Sequence, residues 1–151
     1  MKKDNRNKII DEDISSLGKI FSKPEYKKLF EVKTFLITGA GGFLGKYMVM
    51  LLRHMNREIL KKPLKAILLD NYVTGYDSNI GSDKNIIFEK HYVIKKYKTA
   101  ESIDYLIHAA GIASPVYYTR FPIETMDVGT IGTRNMLELA NEKNVKSFLF
   151  T

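Results

Sequence analysis

The chain has 151 residues, 44% of them hydrophobic and 27% charged, which is the size and composition of one globular domain with a proper core. It contains no Cys, and its three His (His54, His91 and His108) lie far apart, which excludes disulfides and thiolate metal sites and suggests no metal cluster. The net charge of +7 invites a nucleic-acid reading, but Lys and Arg run from Lys2 to Lys146 with acids among them, and no stretch interleaves aromatic with basic residues as a single-strand groove would. Solvated surface, and no nucleic acid, is the expectation.

The basic start of the chain runs into Asp11-Glu12-Asp13 rather than an apolar stretch, so it does not read as a signal peptide. No apolar run reaches the length of a membrane helix, and a soluble, cytoplasmic protein without membrane contact is expected. Within residues 1–33, Ile10, Ile14, Leu17 and Phe21 mark a stripe of a short helix starting near Asp11, and Tyr26, Leu29 and Phe30 form a second turn after Pro24. This helical extension is too small for its own core and is expected to pack on a domain formed by residues 34–151.

Residues 34–38, 66–70 and 105–109 are apolar on both faces and read as buried parallel strands, joined by weaker candidates at 85–89 and 147–151. Between the first two strands, Phe43, Leu44, Tyr47, Met48, Leu51, Leu52 and Met55 recur at helical spacing, with Lys46, Arg53 and His54 off the stripe. Residues 71–84 look like an exposed loop. A second helix is expected from Pro122, with Met126, Thr130, Thr133, Leu137 and Ala140 on one face. Strand and helix alternate, which predicts an α/β fold: a doubly wound parallel sheet with right-handed crossovers, ending after its fifth strand.

The most informative stretch follows the first strand and opens the first helix: Thr38-Gly39-Ala40-Gly41-Gly42-Phe43-Leu44-Gly45. A pyrophosphate sits at a helix N-terminus only where the backbone comes close, so glycines are needed for the tight turn, the phosphate approach and helix-on-strand packing. The spacing is GxxGxxG through Gly39, Gly42 and Gly45, and no GK[ST] follows, so the loop is not a P-loop. The second strand ends in Asp70, whose carboxylate can accept hydrogen bonds from both ribose hydroxyls and would repel a 2′-phosphate, which favours NAD over NADP. The fourth strand runs out into His108-Ala109-Ala110-Gly111, where small residues let a dinucleotide lie across the strand ends. Each of the three His reads as structural rather than catalytic.

TGAGGFLG, DNYVTG from Asp70 and HAAGIASPVYY from His108 together resemble the extended short-chain dehydrogenase/reductase family, the NAD-dependent epimerases and dehydratases of nucleotide sugars, over residues 34–151. The ASPxxY segment and the helix from Pro122 are most similar to UDP-glucuronate decarboxylases. The resemblance implies a Rossmann-type sheet with NAD as cofactor, a nucleotide sugar, UDP-linked in the nearest members, as substrate, and a homodimer as the full-length state. It implies that Gly39, Gly42, Phe43, Leu44 and Gly45 meet the pyrophosphate, that Asp70, Asn71 and Thr74 hold the adenosine ribose, and that Ala109, Ala110 and Gly111 line the cofactor beyond. Ser114 and Tyr118 would lie near the sugar.

The chain departs from the family pattern at Tyr92, where an Asp contacting the adenine amine is usual, which leaves stacking by Tyr92 or the backbone of Val93 to serve adenine. It departs again at Gly129, where the helix usually carries Asn, and at Glu124, where decarboxylases carry Lys. The family's YxxxK pair follows the fifth strand by about one helix. Tyr92 and Lys96 match that spacing by count but sit too early in the topology. No catalytic residue is therefore assigned within the 151 residues, and the chain is expected to hold the cofactor half of such an enzyme and to be inactive alone; the competing expectation is a non-catalytic dinucleotide-binding or regulatory module.

Overall fold

The computed structural model describes residues 5–73 and 84–151. Its centre is a five-stranded, all-parallel sheet formed by β1 (Thr34–Thr38), β2 (Lys65–Asp70), β3 (Ile86–Lys90), β4 (Tyr105–His108) and β5 (Ser147–Phe150), in the order β3-β2-β1-β4-β5. Each strand lies within one residue of the segment expected from sequence. All five residues of β1 are buried, because a central parallel strand is covered on both faces. Phe35, Ile37, Ala66, Leu68 and Ile86 form a core on one face, and Leu36, Ile67, Leu69 and Leu106 form another on the opposite face. The strand order reverses between β1 and β4, so the connections leaving these two strands diverge and open a crevice at their carboxyl ends.

The first face is covered by α3 (Phe43–His54), which continues into a π-helical turn over Met55–Ile59. Its buried residues are Gly45, Val49 and Leu52, followed by Met55. The expected stripe is therefore rotated: Leu52 and Met55 are buried, Tyr47, Met48 and Leu51 flank the seam, and Phe43 and Leu44 point their side chains to solvent. The glycine at position 45 brings the first turn down onto the strand and carries its two large apolar neighbours outward.

The opposite face is covered by the connection from β4 to β5. It contains α4 (Pro115–Arg120), α5 (Pro122–Asp127), a π-helical turn over Val128–Gly132 and α6 (Thr133–Glu142). The helix begins at Pro122 as expected, but a different face meets the sheet. Val128, Gly132, Asn135, Met136, Leu139 and Ala140 are buried, whereas Met126, Thr130 and Leu137 are exposed. A π-turn inserts one residue into the helical repeat, and the seam it produces contains a glycine and an asparagine, so hydrophobic periodicity pointed to the wrong side. The 71–84 loop lies mostly outside the described residues, and residues 91–104, between β3 and β4, contain no helix.

Two further helices, α1 (Asn5–Phe21) and α2 (Pro24–Phe30), precede the sheet. The first begins well before Asp11. It crosses α3 with Ile14 buried and with Gly18 seated over the His54 ring, where a Cβ would collide; His54, expected on a polar face, is half-buried for that reason. A run of aromatic contacts then ties the extension to the sheet. Phe21 meets Phe30 at 5.3 Å, Phe30 stacks on Phe35 at 5.5 Å, and Phe35 meets Tyr105 at 4.9 Å. Each such pair adds about 0.5–1.5 kcal/mol beyond its buried area.

The amino ends of the strands are stitched by Asp104. Its Oδ2 accepts from the Thr34 N–H at 3.0 Å, and its Oδ1 lies 2.7 Å from Lys146 Nζ and 3.6 Å from Lys33 Nζ. Desolvation alone would push this carboxyl up, but the hydrogen bonds from Lys146 and Thr34, with the charges of Lys146 and Lys33, hold it below the usual carboxylate value.

His108, at the carboxyl end of β4, is fully buried. Nδ1 lies 2.7 Å from Thr38 Oγ1 and Nε2 lies 3.2 Å from Thr133 Oγ1. The Ala110 N–H donates to Thr38 Oγ1, and the Thr133 hydroxyl donates to the Gly129 carbonyl. The Thr38 hydroxyl hydrogen is thus directed at Nδ1, and Nε2–H donates to Thr133, so the neutral ring satisfies the whole chain of donors. Burial pushes the His108 pKa below its ordinary value. The unfolded chain takes up a proton near pH 6.5 that the native state refuses, so this contribution to stability is complete above about pH 6.5 and is lost as the pH falls below it. In denaturant titrations across pH 5–8, His108→Gln is expected to be less stable throughout and to lose less stability on acidification than wild type; an unchanged slope would contradict this account.

Candidate functional site

The crevice between β1 and β4 is an open cleft at the carboxyl ends of the strands, the position where open α/β sheets bind ligands. Its floor is the turn after β1. Gly39 adopts φ +67°, and a Cβ there would run into the carbonyl of Ala109, so glycine meets both the left-handed conformation and the close approach. Gly42 is the N-cap of α3, with no side-chain cap, and its N–H donates to the Gly39 carbonyl at 3.0 Å. Gly45 lies beneath, packed so closely on Gly39 and Ala40 that a Cβ would strike the Gly39 carbonyl. The first turn of α3 leaves the N–H groups of Phe43, Leu44 and Gly45 without acceptors among the described residues. An uncapped helix N-terminus carries roughly half a positive charge and ready donors for an anion.

Asp70 closes one side. Its Oδ2 accepts from the Gly41 N–H at 2.8 Å and its Oδ1 from the Tyr72 N–H at 2.7 Å. A Cβ on residue 41 would press on this carboxylate at 3.1 Å. Tyr72 is held at φ +62° with its ring stacked on Phe88 at 5.5 Å, an uncommon conformation for an aromatic residue that fixes the turn leaving β2. Each carboxylate oxygen keeps a lone pair for a hydroxyl. Asn71 caps the same turn, its Oδ1 accepting from the Val73 N–H at 3.1 Å.

Of the residues singled out in the sequence, Gly39, Gly42, Asp70, Asn71, Val93, Ala109, Ala110 and Gly111 line this one cleft. Phe43, Leu44 and Gly45 are not in its lining: Phe43 and Leu44 turn their side chains to solvent, and Gly45 packs against Gly39 and Ala40. Thr74 lies outside the described residues. Tyr92 is half-buried and outside the lining. Ser114 is the N-cap of α4 and accepts from the Tyr117 and Tyr118 N–H groups, while Tyr118 is exposed on that helix; neither lines the cleft. The lining also includes Leu69, Val73, His91, Ile112 and Val128, which the sequence did not single out. Leu69, Val73 and Ile112 adjoin segments already marked; His91 and Val128 come from separate elements and carried no signal beyond the strand end and the helix. The His91 ring is oriented by its Nε2, 3.0 Å from the Lys95 carbonyl, which can only accept.

Among the described residues no cluster of His, Asp and Glu could hold a metal, and no helix is long and apolar enough to cross a membrane.

Residues 35–151 match the family model described as the NAD dependent epimerase/dehydratase family. Among curated proteins, UDP-glucuronic acid decarboxylase 1 of Xenopus tropicalis is 31% identical over 145 residues, covering 91% of this chain and 32% of that protein. UDP-glucuronic acid decarboxylase 6 of Arabidopsis thaliana is 31% identical over 119 residues, covering 76% and 32%. The chain thus spans about a third of the length of the curated relatives it matches. Among solved structures, the epimerase Mth375 of Methanothermobacter thermautotrophicus superposes with a TM-score of 0.72 at 25% identity, over 86% of this chain and 38% of that one. The UDP-glucose 4-epimerase of Bifidobacterium longum, solved with NAD+ and UDP, gives 0.60 at 23% identity over 79% and 36% and supports the fold alone. With a five-stranded parallel sheet of the Rossmann type, a glycine turn under an uncapped helix and a family match over most of its length, the chain belongs to the NAD dependent epimerase/dehydratase family.

Proposed function

We propose that the chain is the NAD-binding part of an enzyme that modifies a UDP-linked sugar through a 4-keto intermediate, with decarboxylation of UDP-glucuronate as the specific reaction. The observation that carries this reading is the meeting, at one cleft, of the free N–H groups at the start of α3 with the doubly anchored carboxylate of Asp70. A pyrophosphate suits the first and a ribose diol the second. The N–H groups of Phe43, Leu44 and Gly45 would receive the phosphate oxygens, Asp70 the ribose hydroxyls, and Val93 the base, while Ala109, Ala110 and Gly111 leave room for the rest of the dinucleotide. When bound, NAD supplies the acceptor for the hydride leaving the sugar C4.

The decarboxylase assignment is supported by the relatives of that name and by the ASPxxY segment, against which Glu124 stands as a departure. The likeness to these relatives implies that the Tyr and Lys that move the C4 hydroxyl proton belong to the rest of a longer protein, so the 151 residues alone are expected to reduce no NAD with any nucleotide sugar. The decisive assay supplies the full-length protein with NAD and UDP-glucuronate and follows CO2 and UDP-pentose. Dinucleotide binding without turnover of any nucleotide sugar would leave a binding or regulatory module as the better description.

We further propose that the full protein is a homodimer. The outer face of the helix from Pro122 presents Ile123, Met126 and Leu137, 70%, 68% and 49% exposed, and apolar stripes of this kind mark interaction surfaces.

Two outcomes are expected. NAD should bind at least tenfold more tightly than NADP, because a 2′-phosphate would face the Asp70 carboxylate; Asp70→Ala should lose most of that preference and weaken NAD itself, as read by calorimetry, and an unaltered preference would remove Asp70 from the site. Met126→Glu combined with Leu137→Glu should shift the sedimentation coefficient from dimer to monomer without loss of secondary structure; a wild-type monomer would refute the assembly.

A further inference from the structure

Val93 is 5% exposed and lines the cleft, yet its backbone N–H has no hydrogen-bond partner among the described residues. Buried N–H groups without partners are rare in folded proteins, so an unpaired one on a cleft wall points to an acceptor on a ligand. The other polar group of the same residue is firmly held: the Val93 carbonyl accepts from Asn135 Nδ2 at 2.9 Å, and Asn135 is itself buried on α6. The side chain is seated as well, because a Cβ on Gly132 would come within 2.8 Å of Val93 Cγ2. The π-turn over Val128–Gly132 brings Val128, Gly132 and Asn135 into one seam facing this residue.

We infer that Asn135 is a positioning residue for the base end of the cofactor, acting through Val93 to hold its N–H toward an acceptor nitrogen on the base. This rests on the NAD-binding reading above. The clamp on the Val93 carbonyl and the Gly132 contact on its side chain fix two of the three heavy-atom bonds at the Val93 Cα, which sets the position of its nitrogen on the cleft wall. The amide of Asn135 suits the task because it donates to a buried carbonyl without bringing a charge that burial would penalise. The residue carries unusual weight in this chain: Tyr92 stands where the family resemblance places a carboxylate for the adenine amine, and Tyr92 lies outside the cleft lining. Recognition of the base edge then falls on the neighbouring N–H, whose acceptor is N1, the ring nitrogen beside the amine.

The test compares NAD with its 1-deaza-adenine analogue, in which N1 is replaced by C–H, binding to the full-length protein by calorimetry. Wild type is expected to prefer NAD by about tenfold, the worth of one hydrogen bond left unmade in a buried site. In Asn135→Leu the preference should shrink toward unity, through weaker NAD binding with the analogue nearly unaffected; Asn135→Asp, of the same size but with an acceptor facing the carbonyl, should behave alike and serves if the leucine variant does not fold. A role limited to stability would weaken both ligands by the same factor and preserve the ratio, and that result overturns the inference. So does a wild-type protein that binds both equally. Binding of neither dinucleotide overturns the cofactor reading and this inference with it, whereas tight NAD binding with an unchanged ratio in the variants overturns the inference alone.

Discussion

The backbone of Gly39 lies so close to the Ala109 carbonyl that no side chain fits between them, and the carboxyl end of the sheet is organised around that contact. Because β1 and β4 are hydrogen-bonded neighbours, the chain leaving β1 must turn at once, and it does so with a positive φ. The turn is then fastened to the other side of the strand, where the Ala40 N–H donates to the Leu69 carbonyl of β2 at 3.3 Å. Gly45 repeats the economy of space one helical turn later. The start of α3 is thereby pinned directly above the point where the strand order reverses, so its unpaired donors and the crevice coincide.

Beneath this layer, the sheet is secured differently at its two ends. The amino ends are joined by charge, with Asp104 drawing Lys33 and Lys146 together across three strands. The carboxyl ends are joined by uncharged hydrogen bonds, through His108 between Thr38 and Thr133. Burying a charge at that depth would be costly, and the neutral ring avoids that cost while still linking β1, β4 and the covering helix. The aromatic run from Phe21 to Tyr105 adds a third attachment, which makes α1 and α2 part of the packing of one sheet face.

Much of this was legible in the sequence, and the exceptions have physical causes. The strands could be read because burial on both faces leaves uninterrupted apolar runs, as at 34–38 and 66–70. The glycine turn and Asp70 could be read because close backbone approach restricts residue type at fixed spacing. The phase of the helix over Pro122–Glu142 could not, since its seam includes Gly132 and Asn135 and a π-turn shifts the repeat, while Met126 and Leu137 offered a plausible but outward stripe. His91 and Val128 were missed because they reach the cleft through tertiary packing. Ser114 and Tyr118 came from family resemblance alone, and they stand on or beside α4, away from the cleft.

Asp70 has a consequence for how cofactor choice could change over evolution or by design. The carboxylate proposed to face the ribose is also the acceptor that anchors Gly41 and Tyr72, so under that proposal it is at once a selectivity element and a structural pin for two turns. Replacing it with a smaller or basic residue to admit a phosphorylated ribose would free those two N–H groups and loosen the turn that leads into α3. A change of cofactor therefore requires a compensating acceptor for Gly41 and Tyr72 in the same step, which makes NAD dependence hard to escape by single substitutions.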